Sequence, residues 1–525
     1  MRRTLAVFGL LMVACGDKPV PLRVEPGIAI PVSVNHTTCE LTPLDTPLQI
    51  DVVKGADYFL LLGNTQTQSI TVSLIGTAPN QFKLGSGFTW VQLTAKQGEI
   101  WVNDVGGAFI GGLVPARMTK QPNVMLISID TLRADMFNER NMPGLHDLFA
   151  RHGGIWTQAR TTAPWTLPAH ASLLSGLYPA SHGVRLPEHA LGDVQTLAQS
   201  MRELGYHTVS VNEGNYLAAT YGLNRGFDWY TEIKPDLSSN DPRKSSLLDA
   251  SITTLKHVIQ TLQPAPVFAF LHSYEVHCPY LPHRDLEDED GIGQTNWLLE
   301  HEGSPLSDDV KTKLKTLYEG EVRYADSLLT PLVTDLIHDG WLVVLTSDHG
   351  EEFGEHGGLL HADTLFEEVM RVPLAIAGPG IKPGMYDQVT SILDVAPTIL
   401  HNVGGDVPLA WQGRVLPAPS LDVVFGESYY FGPHIPMEQP RLVSAWQGET
   451  KLIQLQNFSA TDVYLFDLAA DPEELHNLQG ERAIERDHLF ELVSAYLMQQ
   501  GWTPESAGEL TEEQLELMRS LGYLK

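Results

Sequence analysis

Three cysteines in 525 residues are too few for a disulfide framework or a cysteine metal site. Cys39 and Cys278 fall in segments of different character, so two unpaired thiols are the simplest state. Basic residues are also scarce: 34 Lys and Arg against 64 Asp and Glu leave a formal charge of −30. A surface of that sign repels nucleic acid and anionic membranes, and neither is expected as a general partner. An anionic ligand would need a local cationic site, most simply a metal. Past the N-terminus no segment has enough uninterrupted apolar residues to read as a membrane span. Disorder is excluded by composition, with 43% apolar and 8% aromatic residues, and the length suits two or three domains around a sizeable core.

Arg2 and Arg3 followed by the apolar run Leu5 to Ala14 form the charged and hydrophobic parts of an export signal, too short to span a bilayer. The run ends in LMVAC, which resembles the bacterial lipoprotein cleavage box with Cys15 as the lipidated residue. Residues 1–14 are therefore read as a lipoprotein signal peptide. The mature chain is expected in the bacterial cell envelope or exported, held to a membrane through a lipid on Cys15. From Leu22 to Val114 short strand-like segments alternate with Gly, Asn and Pro, as in Tyr58 to Leu62, Ser69 to Leu74 and Glu99 to Val102. Residues 15–120 are expected to form a tether and an N-terminal, all-β, sandwich-like domain, more simply a spacer than a binding module.

The character changes at Gln121. NVMLISI, Asn123 to Ile129, is an apolar run of the kind buried on both faces of a parallel sheet, and it ends at Asp130. Similar runs at Thr208 to Val211, Val267 to Leu271, Trp341 to Thr346 and Pro373 to Ala377 alternate with helical patterns. The alternation predicts an α/β fold with a doubly wound, mostly parallel sheet over residues 121–415. Residues 416–525 are expected to form a smaller C-terminal antiparallel sheet subdomain, with a closing helix over Leu510 to Leu524.

Sites in open α/β sheets form beyond the carboxyl ends of the strands, and two runs deliver acids there: Asp130 after the first, Asp348 and His349 after a later one. Hard oxygens plus one imidazole suit Ca²⁺, Mn²⁺ or Zn²⁺ without choosing among them. The stretch TLPAHASLLSG, Thr166 to Gly176, reads as a helix capped by Thr166 and stopped at Gly176, with the Thr166 hydroxyl at an anion-favouring helix mouth and His170 one turn below. A metal beside Thr166 would lower the pKa of its hydroxyl and stabilise charge on a tetrahedral oxyanion. Taken singly, Asp130 and Asp348 suit caps or turns, Thr166 a surface cap, His277 a core position and His182 loop packing. The acidic run Asp285 to Asp290 suits a solvated loop.

Eight blocks occur in one order: PNVMLISIDTLRAD, APWTLPAHASLLSGLYPASHGV, GLNRGFD, FLHSYEVHCPY, LTSDHGEEFGEHG, RVPLAIAGPG, LDVAPTIL and YLFDLAADPEELHNL. Together they make residues 121–525 resemble the sulfatase family of the alkaline phosphatase superfamily. The resemblance implies the alkaline phosphatase/sulfatase-like fold. It also implies a metal held by Asp130, Asp348 and His349 with Thr166 beside it, and a role for His277 in transfer or at the leaving group. The cofactor expected is one divalent ion, Ca²⁺ by family, with Mn²⁺ and Zn²⁺ as alternatives.

The sequence departs from the family at telling positions. Where sulfatases start the helix with a Cys or Ser that becomes formylglycine, followed four residues later by Arg, this chain has Thr166 and His170. Threonine cannot give that aldehyde, and a threonine ester must be cleaved by water at sulfur or phosphorus. Phosphotransferring relatives in the superfamily use Thr here. His361 stands at or near the position of a substrate-binding Lys, Thr131 replaces a frequent second acid, and Ser273 replaces a ligand of the two-metal phosphodiesterases. One metal is expected, or two if His356 or His361 contributes. The reading is thus a metal-dependent hydrolase of sulfate or phosphate esters, acting on a sulfated or phosphorylated small molecule or glycan. Thr166 is the nucleophile, with His170, His277 and His361 as the other catalytic residues, in a pocket open to solvent. The alternative is a catalytically inactive metal-binding lipoprotein that recognises glycans or other anionic ligands.

Overall fold

Every residue of the strand Val124–Ile129 is buried, as an apolar run covered on both faces requires. Met125, Ile127 and Ile129 pack into one core with the helices Pro143–His152, Leu248–Leu262 and Asp308–His338. Val124 and Leu126 pack into the opposite core with Thr166–Ser175, Leu197–Glu203 and Val395–Asn402. The period of two along the strand therefore builds both layers at once. The computed structural model describes residues 30–518 apart from 35–36, 44–47, 53, 55–56, 65–69, 80, 85–86, 104–107, 116–120, 235–246, 263–265, 284–285, 420–422, 430–441, 456–462, 499–504, 509–514 and 516–517. The export segment with Cys15, the start of the acidic run at Asp285, and most of the expected closing helix lie outside the described residues.

The sheet runs Gly384–Tyr386, Gly153–Trp156, Leu374–Ala377, Leu342–Thr346, Val124–Ile129, Val267–Ser273, His207–Asn212 and Trp229–Glu232. Val124–Ile129 is parallel to both neighbours, whereas Leu374–Ala377 runs antiparallel to both of its own. Within residues 121–415 most of these pairings are parallel, in keeping with the sequence pattern, but the continuous sheet as a whole is mixed. It does not stop at Trp229–Glu232, because Thr37–Pro43 adds antiparallel to that strand through Thr38 opposite Tyr230 and Thr37 opposite Thr231. The ladder continues through Ala108–Pro115, Asp57–Asn64, Gly87–Ala95 and Thr77–Ala78. A four-stranded sheet of Leu48–Asp51, Glu99–Asn103, Ile70–Ile75 and Gln81–Leu84 shares a core with these strands, including Leu60, Leu62, Val72, Leu93 and Ile100. A boundary at residue 120 thus crosses a continuous sheet. No helix among the described residues is long and apolar enough to cross a membrane.

Four antiparallel strands, Val424–Ser428, Leu442–Gln447, Thr450–Leu455 and Val463–Asp467, form the smaller sheet, covered by the helix Ala483–Leu497 through Leu489, Val493 and Tyr496. A buried ion network fastens it to the α/β body through the short strand Ala159–Arg160 and the helix Glu367–Met370. Glu367 pairs with Arg160 at 2.8 Å and Lys451 at 3.2 Å, and accepts from Trp446 Nε1 at 2.7 Å. Burial alone would raise the Glu367 carboxyl, but Arg160 and Lys451 hold it at about 2. Removing one member strands the others in the interior, so Glu367→Ala is expected to cost about 3–5 kcal/mol in urea denaturation. Because the folded pKa is depressed, the stabilisation is full above the unfolded carboxylate value and fades as pH falls from about 4.5 toward 2. The acid limb of the stability curve should therefore flatten in the variant.

Candidate active site

Asp130 leaves the end of its strand under tension. Its N–H donates to Ser273 O at 2.9 Å, closing the turn against the neighbouring strand. The next residue, Thr131, sits at φ 55°, a left-handed conformation that a β-branched side chain adopts only when its surroundings enforce it. Two contacts enforce it here: Thr131 N–H reaches Asp348 Oδ1 at 3.4 Å, and Leu132 N–H donates to Ser347 Oγ at 3.0 Å. The carboxyl ends of the strands Val124–Ile129 and Leu342–Thr346 are thereby tied, and their acids converge.

Thr166 opens the helix Thr166–Ser175, but Trp165, in extended conformation, is the N-cap, and Thr166 is the first helical residue. This corrects the expected cap: the Thr166 hydroxyl is turned to the site and not to its own helix. Its Oγ1 donates toward Asp130 Oδ2 at 3.3 Å and lies 3.5 Å from His349 Nε2. Gly176 ends the helix at φ 64°, as the sequence suggested, and a Cβ there would press on the Trp411 ring at 3.1 Å.

The donor set of Asp130, Asp348 and His349 fits a divalent cation. One ligand atom from each lies within 4.8 Å of the others, and all three side chains are buried. His349 Nδ1 lies 3.0 Å from Gly350 O, which can only accept, so Nδ1 carries the proton and the Nε2 lone pair faces the acids. Nε2 stands 3.3 Å from Asp348 Oδ2 and 3.8 Å from Asp130 Oδ1, and neither of those oxygens has a hydrogen-bond partner. Lone pairs facing buried carboxylate oxygens repel unless a cation lies between them. The same conflict appears in the acidities: burial pushes Asp130 up to about 7, and burial plus the neighbouring Asp130 charge raises Asp348 as well.

His170 lies one turn below Thr166, as its spacing implied. Fully buried, it donates Nδ1–H to Thr166 O at 2.9 Å and accepts at Nε2 from Ser128 Oγ at 3.0 Å. Burial, then the neighbouring His272, lowers its pKa well below the usual imidazole range. Both ring nitrogens are engaged and burial favours the neutral ring, so His170 props the Thr166 helix, with Nδ1 also 3.5 Å from Asp348 Oδ2. His361 is biased toward its charged form: burial works against it, but Glu351, followed by Asp130 and Asp348, raises its pKa. Its Nδ1 lies 2.8 Å from Glu351 Oε1, and its ring centroid is 4.4 Å from His349 and 5.2 Å from His277. His277 donates Nδ1–H to Cys278 O at 2.7 Å and is lowered to about 4 by burial and then by His361.

His356 is not in this group. It pairs with Glu368 and Glu473 O, so it adds no ligand to the Asp130, Asp348 and His349 cluster. His182 is a packing residue, bonded to Ser172 Oγ and accepting from Val184 N–H. Thr166, Asp130, Asp348 and His349 are each 0% exposed, so the solvent-open pocket expected from sequence is replaced by an enclosed cluster in this structure.

Two residues escaped the sequence reading. His272 Nε2 lies 3.3 Å from Asp130 Oδ2, and its ring packs at 4.6 Å from Tyr274. The strand Val267–Ser273 alternates Phe268 and Phe270 onto the helix Thr166–Ser175 side, and the same period carries His272 there. Glu351, fully buried, accepts from Tyr280 OH at 2.8 Å as well as from His361. It was hidden among the adjacent acids of GEEFGEHG.

A hydroxyl at a helix mouth, beside acids and an imidazole on adjoining strand ends, defines a group-transferring hydrolase built on an α/β sheet. Residues 122–405 match the sulfatase family model, and residues 354–492 match a model described as N-sulphoglucosamine sulphohydrolase, C-terminal. The first match spans more than half of the chain, which belongs to the sulfatase family and is an ester hydrolase by class. Choline-sulfatase of Rhizobium meliloti (strain 1021) is 24% identical over 69% of this chain and 83% of its own length. Arylsulfatase K of Xenopus laevis is 23% identical over 68% of this chain and 79% of its own. A phosphonate monoester hydrolase from Silicibacter pomeroyi shares the fold, with a TM-score of 0.58 at 21% identity over 72% of this chain and 96% of that one. The alternative of an inactive binding lipoprotein gains no support from these likenesses.

Proposed function

We propose that this protein hydrolyses sulfate or phosphate-type monoesters of a small molecule or glycan, with Thr166 as nucleophile. The observation that carries the reading is the position of Thr166 Oγ1, 3.3 Å from Asp130 Oδ2 and 3.5 Å from His349 Nε2. Asp130, Asp348 and His349, with Thr166, would hold one divalent ion, Ca²⁺ by family, which when bound polarises the ester oxygens and acidifies the hydroxyl. Thr166 Oγ1 passes its proton to Asp130 Oδ2 as it attacks the central sulfur or phosphorus, and the bond to the leaving oxygen breaks as His361, favoured in its charged form by Glu351, supplies a proton to it. Water then attacks the same atom of the threonine ester, its proton passing to neutral His277 and on to the adjacent His361, while the bond to Thr166 Oγ1 breaks and that oxygen takes its proton back from Asp130 Oδ2. His170 and His272 keep the Thr166 helix and Asp130 in register from below. An anionic ester suits the charged His361 where the family places a lysine, and the sulfatase and phosphonate hydrolase relatives name the two ester classes. We further read Cys15 as a lipid anchor in the cell envelope and residues 15–120 as tether and β-rich module.

The test is turnover of aryl sulfate, aryl phosphate, an aryl phosphonate ester and bis-aryl phosphate by chelated and metal-reloaded protein, with Thr166→Ala as control. No metal-dependent turnover on any of them would overturn the proposal. His361 also sets a pH dependence. Its charge is present below its raised folded pKa and lost above it, so KM is expected to rise as pH climbs past neutrality. His361→Lys should flatten KM across that range, and an unchanged KM profile would remove His361 from substrate binding.

A further inference from the structure

A second group of metal donors lies outside the site described above. Glu352, His356 and Glu368 each place one ligand atom within 4.8 Å of the others. His356 Nδ1 lies 2.6 Å from Glu368 Oε1, and its Nε2–H donates to Glu473 O at 3.1 Å. That second bond is the one by which a metal-bound imidazole is ordinarily oriented, its other ring nitrogen fixed by a backbone carbonyl. Glu352 is 1% exposed; its Oε2 accepts from Thr364 Oγ1 at 2.9 Å, while Oε1 is buried with no partner at all. Gly358 leaves the space this carboxylate needs, since a Cβ there would stand 2.6 Å from Oε2 and 3.2 Å from Oε1.

A proton on His356 answers Glu368 but leaves Glu352 unanswered, with one positive charge for two enclosed carboxylates. We infer that Glu352, His356 and Glu368 bind a second divalent cation of the Zn²⁺ class, structural in role and separate from the catalytic cluster. Two carboxylate oxygens and one imidazole suit such an ion, which would take the place of the His356 Nδ1 proton and give Glu352 Oε1 its partner. Burial, then the charge of Glu368, pushes the Glu352 carboxyl up to about 8, as expected for an acid whose countercharge is missing.

Three segments meet at this ion. Glu352 and His356 lie in the stretch between His349 and His361, where Glu352–Phe353 pairs with Leu359–Leu360. Glu368 belongs to the helix Glu367–Met370, and Glu473 follows the last strand of the C-terminal sheet. The ion would therefore clamp the stretch that carries His361 to the smaller sheet.

The deciding experiment uses full-length Asp130→Asn/Asp348→Asn, in which the catalytic acids are neutralised and this cluster is intact. After chelation and reloading with Zn²⁺, metal analysis by mass spectrometry and calorimetric titration should find one tightly held ion per chain. Adding Glu352→Gln, which preserves shape, should remove that ion and weaken Zn²⁺ binding at least 100-fold. No retained ion in the double variant, or an ion that survives Glu352→Gln, would overturn the inference. His356→Asn provides an independent second removal, expected to act like Glu352→Gln.

Discussion

Thr166→Ala is expected to lower kcat by on the order of 10⁴-fold or more while leaving the protein folded, since on the proposed mechanism it removes a nucleophile acting in concert with its neighbours. Stability should change by no more than about 1 kcal/mol, because Trp165 is the cap and the Thr166 hydroxyl points to Asp130 and His349. Thr166→Ser restores a hydroxyl at the same helical position and should recover most of the rate. Stopped-flow kinetics and chemical denaturation on the three proteins separate the two quantities. An alanine variant that turns over within tenfold of the parent would show that water is activated directly and that Thr166 is only a ligand or a wall. The intact mass of the Thr166 peptide should match unmodified threonine, and a trapped ester would add the mass of the transferred group.

The second large effect concerns the paired acids. Asp130 is held up at about 7 and Asp348 is raised in the same direction, burial being the main cause and the Asp130 charge adding to it for Asp348. With folded pKa values above the unfolded value near 4, the folded state binds more protons than the unfolded chain between those limits. Stability of chelated protein should therefore fall as pH rises from about 4 to 7. Saturating divalent metal should cancel the fall, because an ion that binds only the folded state adds stability by mass action. Asp348→Asn should do the opposite of what a structural residue does: raise the melting temperature of chelated protein at pH 7, remove turnover, and cut the metal-induced gain to the part that the Glu352, His356 and Glu368 cluster supplies. Melting curves against pH, with and without metal, read all three. A chelated parent whose melting temperature climbs from pH 4 to 7 would contradict the picture of two unneutralised carboxylates.

Much of this site is legible in the sequence because its acids and imidazole sit where buried strands end. A run such as VMLISI can only be a covered strand, and the residue after it must emerge at the sheet's carboxyl edge, so Asp130, Asp348 and His349 were placed by pattern alone. Thr166 was found through its helix, but its role as first helical residue depends on the extended backbone of Trp165, which side-chain preference does not reveal. His272 was within reach: counting in twos from Phe268 and Phe270 puts it beneath Asp130. His170 lies one turn below Thr166 as its spacing implied, but spacing of four did not show that Ser128 and Asp348 would be its neighbours. Glu351 required tertiary knowledge, since nothing local distinguishes the acid that reaches His361 and Tyr280 from the one beside it. The charge state of His361 followed from that same contact and ran opposite to the expectation of a weakened anion pocket. Pairing of Thr37–Pro43 with Trp229–Glu232 was likewise invisible, as register between distant segments leaves no periodic trace.

That pairing alters what the N-terminal strands are for. A lone outer strand such as Trp229–Glu232 offers unpaired amides and carbonyls to any extended peptide, and proteins blunt such rims by covering them. Here the cover comes from the same polypeptide, so trimming the chain back to residue 121 would bare the rim and invite fibrous self-association of an otherwise intact hydrolase core. What reads as a spacer is also a hem.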